Sequence, residues 1–469
     1  MLDAVVVGSG PNGLAAAITL ARAGRSVLVV EANDTVGGGV RSAELTLPGF
    51  VHDICSAIHP LAKASPCFTE LPLAAHGLEF VEPPAPLAHP LDDGTAVVLE
   101  RSVDETAASL GVDADCYRRL MTPLVEGVDR LQPFLLGYRP IPRRPIFTAR
   151  FGLRALRSAV GFANRFEGER AKALFAGLAA HSIQDLNRSP TASFGLVLAL
   201  FGHAHGWPLV RGGSQQLADA LASYLRSLGG RIELGLRVAS TDELPKARVT
   251  VLDATPRQLI RLAGHRLTGR YLRGLRRYRY GPGVFKVDWA LDGPVPWTAE
   301  GCARAATIHI GGTLTEIAAS ESAVARGEVA ERPFVLVAQQ SRFDETRAPA
   351  GRHTLWAYCH VPHASSEDMA ERIEAQVERF APGFRELIVG RSAWGPAEIE
   401  RHNENYVGGD INGGVQDLRQ LYTRPVARLN PYSTPVDGLY ICSSSTPPGG
   451  GVHGMCGYWA ARSALKSFS

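Results

Sequence analysis

Several protein classes are excluded by what this sequence lacks. Its seven cysteines, at positions 55, 67, 116, 302, 359, 442 and 456, form no C-x-x-C pair and no zinc-finger spacing. That pattern argues against dithiol redox chemistry and structural zinc, and an odd count with no framework fits a reducing compartment. The formal net charge is only +3 over 469 residues, too small a bias to support a nucleic-acid partner. No apolar run reaches the 18 residues of a membrane span, and the chain opens on "LDAVVVG" rather than on a charged n-region with a cleavage site. The expectation is therefore a cytoplasmic protein with neither an ordinary secretory signal nor a transmembrane helix. A G-x-S-x-G nucleophile elbow is also missing, which disfavours serine hydrolysis.

What is present is ordinary globular composition, 45% hydrophobic and 20% charged, in a chain long enough for a large core and about two domains. Residues 2–33 read as strand, tight turn, helix and strand. Val5, Val6 and Val7 form a buried run, and "GSGPNG" supplies Gly8, Gly10, Pro11, Asn12 and Gly13. Leu14, Ala17, Ile18 and Ala21 mark a helix that stops at Gly24, and "SVLVVE" is the next strand. In that context G-x-G-x-x-G is a dinucleotide loop. Gly8 allows the turn, Gly10 lets backbone approach a pyrophosphate, and Gly13 permits close helix packing, while the helix N-terminus presents N–H groups. Glu31, followed by Ala32, ends the second strand where a carboxylate meets ribose hydroxyls and disfavours a 2′-phosphate.

A second glycine cluster follows at once, with Gly37, Gly38, Gly39 and then Arg41. It resembles the FAD signature of flavin oxidoreductases of the glutathione reductase and amine oxidase type. With "GFVHDICSAIHPL", "GWPLVRGGSQQLADAL", "VLDATPRQL", "YVGGDINGG" and "GLYICSSSTPPGGGVHGMCGYWAA", the chain resembles the phytoene desaturase-like branch of the flavin amine oxidase superfamily. The resemblance implies an α/β fold: a Rossmann-like FAD-binding domain from residues 1–70, 208–264 and 430–469, and a mixed α+β substrate domain from 71–207 and 265–429. It also implies FAD as cofactor, with adenine against Val238, the Ser444 hydroxyl offered to ribityl or pyrophosphate oxygens, and the flavin ring over Gly451, Val452 and His453. A helix is expected from near Val452, its positive end aimed at the flavin.

Three groups are candidates for catalysis. Lys286, on the alternating strand "GVFKVDWAL", resembles the lysine that holds a water against the flavin in amine oxidases; the alternative is a half-exposed strand with Lys286 and Asp288 in solvent. His453 is expected at the flavin edge, able to bond the ring or a substrate, the alternative being a structural, backbone-bonded histidine, and His59 in "SAIHPL" resembles a residue lining the flavin cavity. His203 and His205 in "FGHAHGWP" read as pocket wall beside Trp207 rather than as metal ligands, and no metal is expected. The run 143–166 sets Phe151, Leu153, Leu156, Val160 and Phe162 among arginines, which reads as an ordinary surface helix with its apolar face on the protein or, alternatively, as a pattern able to contact an anionic membrane peripherally.

The expected activity is removal of hydride from a C–H bond of a lipophilic or isoprenoid-like molecule, with electrons passed to oxygen or a quinone-type acceptor. The alternatives are an amine oxidase forming imine and peroxide, and an FAD-holding interaction protein of low turnover.

Overall fold

In the computed structural model, which describes residues 2–138, 142 and 144–468, the chain is organised around two large sheets. Strands Leu2–Val7 and Val27–Val30 are apolar at nearly every position, as strands covered on both faces must be. They lie inside a five-stranded parallel sheet ordered Leu439–Ile441, Ala247–Leu252, Leu2–Val7, Val27–Val30, Arg231–Glu233. Sequence from both ends of the chain and from its middle therefore meets in one sheet.

The first strand turns through Gly8, at φ 96°, into helix Pro11–Arg22. Proline suits that first helical position because its missing N–H would have no intrahelical partner anyway. The helix packs on the C-terminal helix Met455–Ala464, whose Gly457 approaches so closely that a Cβ would overlap the Asn12 carbonyl. That C-terminal helix starts at Met455, not near Val452 as expected. Gly451 at φ 116° and Gly454 at φ 66° hold the preceding backbone in conformations a right-handed helix cannot include.

The second sheet has seven strands, ordered Ile388–Trp394, Gly283–Leu291, His353–Val361, Val335–Ala338, Ala305–Ile310, Ala85–Pro90, Ala96–Leu99. All its pairs are antiparallel except the one between Ala305–Ile310 and Ala85–Pro90. One face, with Val287, Trp289 and Leu355, packs on Ile373 and Phe380 of helix Ala370–Phe380. The other, with Leu336, Trp356 and Tyr358, packs under a helical layer that includes Glu169–Ala180 and Thr191–His205. Strand Gly283–Leu291 is buried at all nine positions, so Lys286 and Asp288 are not in solvent.

The basic run is two helices rather than one. Pro145–Ala155 ends, and Ser158 caps Ala159–Ala163 by accepting the Gly161 N–H at 3.1 Å. Phe151 and Phe162 enter the core, whereas Ile146 and Leu153 stay 71% and 72% exposed. Arg143 lies outside the described residues, as do the expected domain ends at 1 and 469.

Candidate functional site

A long cleft runs from the C-terminal edge of the parallel sheet to the inner face of the seven-stranded sheet, the usual place for a ligand in such sheets. At its first end it is walled by Gly8, Gly10, Pro11, Asn12, Glu31 and Ala32, with Val238 beside them. Gly38, Gly39 and Arg41 form the opposite lip, and Ser444, Gly451 and Val452 close it from the C-terminal segment. His59 stands further along the same wall. Fourteen residues expected from sequence thus converge on one cavity.

Three others do not line it. Gly13 lies behind the loop, where a Cβ would overlap the Gly8 carbonyl oxygen; its role is close packing. His453 is buried, its Nδ1 accepting the Met455 N–H at 3.0 Å while its own carbonyl accepts from Ser65 Oγ at 2.5 Å. Its ring therefore braces the turn before the last helix, directly after Gly451 and Val452 of the cleft wall. Lys286 lines a small cavity that adjoins the cleft and shares Trp356, Tyr358, His402 and Tyr406 with it, and its ammonium is bonded to Asp288. Asp288 is raised to about 6 by burial, partly offset by Lys286.

The glycine-loop end is tightly wired. Glu31 Oε2 accepts the Ser9 N–H at 2.8 Å and the Ser9 hydroxyl at 2.7 Å, while Oε1 accepts the Asn33 N–H and Nδ2 at 3.0 and 2.7 Å. Burial opposes its charge, but these four donors hold the Glu31 carboxyl below its ordinary value. Arg41 gives Nε to the Gly38 carbonyl at 3.1 Å and a terminal nitrogen to the His402 carbonyl at 2.8 Å. Both charges serve first to brace loops.

The loop fits a dinucleotide on two observations. Asn12 Oδ1 is buried at the cleft with no partner, an orphan that a ligand hydroxyl or bound water can satisfy. The glycines leave no side chain between backbone and cleft: a Cβ on Gly10 would meet Asp253 Oδ2 at 2.7 Å, and one on Gly38 would meet the Gly10 Cα at 3.0 Å. The Ser443 hydroxyl is used internally, donating to the Ala254 carbonyl at 2.8 Å, and Ser445 Oγ donates to the Gly413 carbonyl at 2.6 Å.

At the far end the wall is apolar and aromatic: Leu198, Trp207, Leu336, Trp356, Tyr358 and Tyr406. Three imidazoles line the cleft, those of His59, His181 and His402. His59 Nε2 is 2.8 Å from Ser214 Oγ, and burial lowers its pKa to about 4. Ser214 in turn gives its N–H to Asp53 at 2.7 Å, and Asp53 is held by buried Arg347 at 3.1 Å. His181 Nε2 is 3.0 Å from His309 Nε2, and burial lowers His181 to about 3. Burial therefore keeps the His59 and His181 rings neutral at ordinary pH and makes them weak bases. His203 and His205 are elsewhere, bonded to Tyr117 at 2.8 Å and to Gln132 at 3.0 Å. Among the described residues no cluster is able to hold a metal.

Asp253, His181, Trp356, Tyr358 and Tyr406 were not singled out from sequence. Asp253 left one signal, an acid at the end of a buried parallel strand. The others sit in unremarkable strand, helix-end and loop sequence.

Comparison with known proteins agrees with this architecture. The model of an NAD(P)-binding Rossmann-like domain matches residues 6–71. Pyridine nucleotide-disulfide oxidoreductase domain-containing protein 2 of Mus musculus is 27% identical, the match spanning 99% of this chain and 93% of that one. All seven cysteines here are free, so the disulfide of that name has no counterpart. The neurosporene-forming phytoene desaturase of Rhodobacter capsulatus is 27% identical over 97% of this chain and 92% of its own. Among solved structures, a putrescine oxidase bound to putrescine shares the fold, with TM-score 0.61 at 20% identity and coverage of 99% and 98%. Over nearly its whole length the chain is thus similar to these oxidoreductases and shares its fold with a putrescine oxidase, and it carries an NAD(P)-binding Rossmann-like domain near its N-terminus.

Proposed function

We propose that this protein is an FAD-dependent oxidoreductase that dehydrogenates a neutral, lipophilic small molecule, leaving a carbon–carbon double bond. The observation that carries this reading is the make-up of the cleft. Its one end is a glycine loop with a ribose-type carboxylate, and its other end is aromatic and apolar with no acid on the wall. The acidic residues lining the cleft are Glu31, Asp253 and Glu404, grouped with the glycine loop and with Arg237 and Arg261 at the cleft mouth.

The loop residues Gly8, Gly10 and Asn12 would hold the diphosphate, Glu31 the ribose, Val238 the adenine, Ser444 the ribityl or pyrophosphate oxygens, and Gly451 and Val452 the ring. A bound flavin supplies the two-electron acceptor for hydride, and its reoxidation by oxygen or a quinone-type acceptor completes the cycle. The chain does the rest. Trp207, Leu336, Trp356 and Tyr358 orient an apolar substrate and exclude water, and once hydride has left, the proton next to the cationic carbon is acidic enough to pass to a weakly basic imidazole, His181 or His59, as the double bond forms. An alkylammonium would find aromatic faces but no countercharge there. Lys286, already committed to Asp288 behind Trp356 and Tyr358, gives an amine oxidase reading less support.

The exposed face of helix Pro145–Ala155, with Ile146, Arg150 and Leu153, suits a substrate delivered from an anionic membrane. Co-purified polyene or terpenoid, flavin bleaching by such a compound under anaerobic conditions, and vesicle binding weakened by Leu153→Glu would support the proposal. Bleaching by an amine panel alone, with peroxide formed, would overturn it in favour of amine oxidation. A flavin that no donor bleaches would favour a low-turnover FAD-holding protein.

A further inference from the structure

Asp253 stands at the end of strand Ala247–Leu252, inside the curve of the glycine loop. Its Oδ2 accepts the Gly13 N–H at 3.0 Å, one of the free amides at the start of helix Pro11–Arg22. The same oxygen is 2.7 Å from the place a Gly10 Cβ would take. A carboxylate therefore stands packed against the glycine loop and on the wall of the cleft that Asn12, 8% exposed and with Oδ1 unpartnered, also lines.

The groups around it offer no compensating cation. Glu31, on the neighbouring strand, adds a second negative charge. Tyr406, Cys442 and Cys456, which also feel Asp253, are all raised by burial and remain neutral. Among the described residues no arginine or lysine pairs with Asp253. Burial first, and Glu31 second, raise its pKa to about 7, against one opposing hydrogen bond from Gly13.

We infer that the dinucleotide binds with Asp253 protonated, so that loading the cofactor takes up one proton and Asp253 acts as a pH-dependent gate on cofactor retention. The inference rests on the proposed FAD site. An ionised Asp253 would repel the diphosphate from the helix N-terminus across a few ångströms. The protonated acid removes that repulsion and adds an O–H donor to a site that otherwise offers backbone N–H groups. The sign follows: a ligand that raises the pKa of Asp253 above its value in the free protein binds more weakly as pH rises through that value. The weakening approaches about tenfold per pH unit until the pKa of the complex is passed.

The test uses the full-length chain stripped of flavin, with FAD, ADP and adenosine as probes. Equilibrium titration between pH 5.5 and 9 should show FAD and ADP affinity constant below about pH 6 and falling above 7, with adenosine unaffected. Calorimetry of ADP binding at pH 8 in buffers of different ionisation enthalpy should report uptake of close to one proton in the wild-type chain, a readout that needs no variant. Asp253→Asn should bind FAD at pH 8.5 about as tightly as wild type does at pH 6, with no proton uptake. Wild-type affinity that is flat across this range, with no proton taken up, would overturn the role of Asp253 while leaving the FAD site standing. Failure of FAD to bind at any pH would overturn both.

Discussion

At the glycine-loop end the cleft is walled by backbone and by charges already tied to the protein, whereas at the far end it is walled by large side chains with loose polar atoms. Glu31 holds four donors and Arg41 two carbonyls, so little there can move. Opposite, Trp207 Nε1, Thr307 Oγ1 and Trp356 Nε1 are buried without partners along the cleft. One end is built to receive a ligand of fixed shape, and the other leaves its specificity to side-chain choice. A cofactor common to many proteins needs the first, and a substrate that differs among relatives needs the second.

Substitutions at the two ends should separate accordingly. The largest effect is expected from Gly13→Val, which drives a side chain into the Gly8 carbonyl; flavin retention should fall at least a hundredfold or the chain fail to fold, read by flavin absorbance and thermal melting. Lys286→Met comes next. It leaves Asp288 buried without its cation, a loss of about 3–5 kcal/mol when one partner of a buried pair is removed. Flavin affinity should stay within threefold of wild type, and Lys286→Met with Asp288→Leu should recover much of the stability in denaturant titration. A flavin spectrum that changes markedly in the single variant would put Lys286 in the active site after all.

Asn12→Ala is a smaller perturbation confined to the loop end: FAD affinity should weaken about five- to tenfold, as loss of one net hydrogen bond implies, with melting temperature nearly unchanged. His453→Ala should do the reverse, costing about 1 kcal/mol of stability through the lost Met455 contact and leaving FAD affinity and spectrum alone. Trp356→Phe should be the mildest, preserving flavin loading and altering only which donors bleach it. If Trp356→Phe abolished flavin loading, the two ends would not be independent.

How much could be read in advance divides along the same line. Gly8, Gly10, Glu31 and Gly38 announce themselves because a diphosphate site needs small residues at fixed spacing along one continuous stretch. The parallel order of Leu2–Val7 and Val27–Val30 follows from the same segment. His181, Trp356, Tyr358 and Tyr406 carry no such spacing, since they arrive from a helix end, one strand and a loop and meet only through packing. His453 is legible only in part: its position amid the terminal glycines suits a flavin contact as readily as a backbone-bonded role, and the bond its ring accepts from Met455 depends on how Gly451 and Gly454 turn the backbone. For Lys286 the alternation of its strand gives its face but not its burial, nor how many side chains stand between that face and the cleft.

The central claim, that both ends of the chain assemble a flavin site, is tested most directly by releasing small molecules from the gently purified, full-length protein and identifying them by absorbance and mass spectrometry. The account predicts one FAD per chain, with absorption bands near those of bound flavin lost in Gly10→Val. A colourless wild-type protein that releases no FAD, and binds none when it is added, would contradict it.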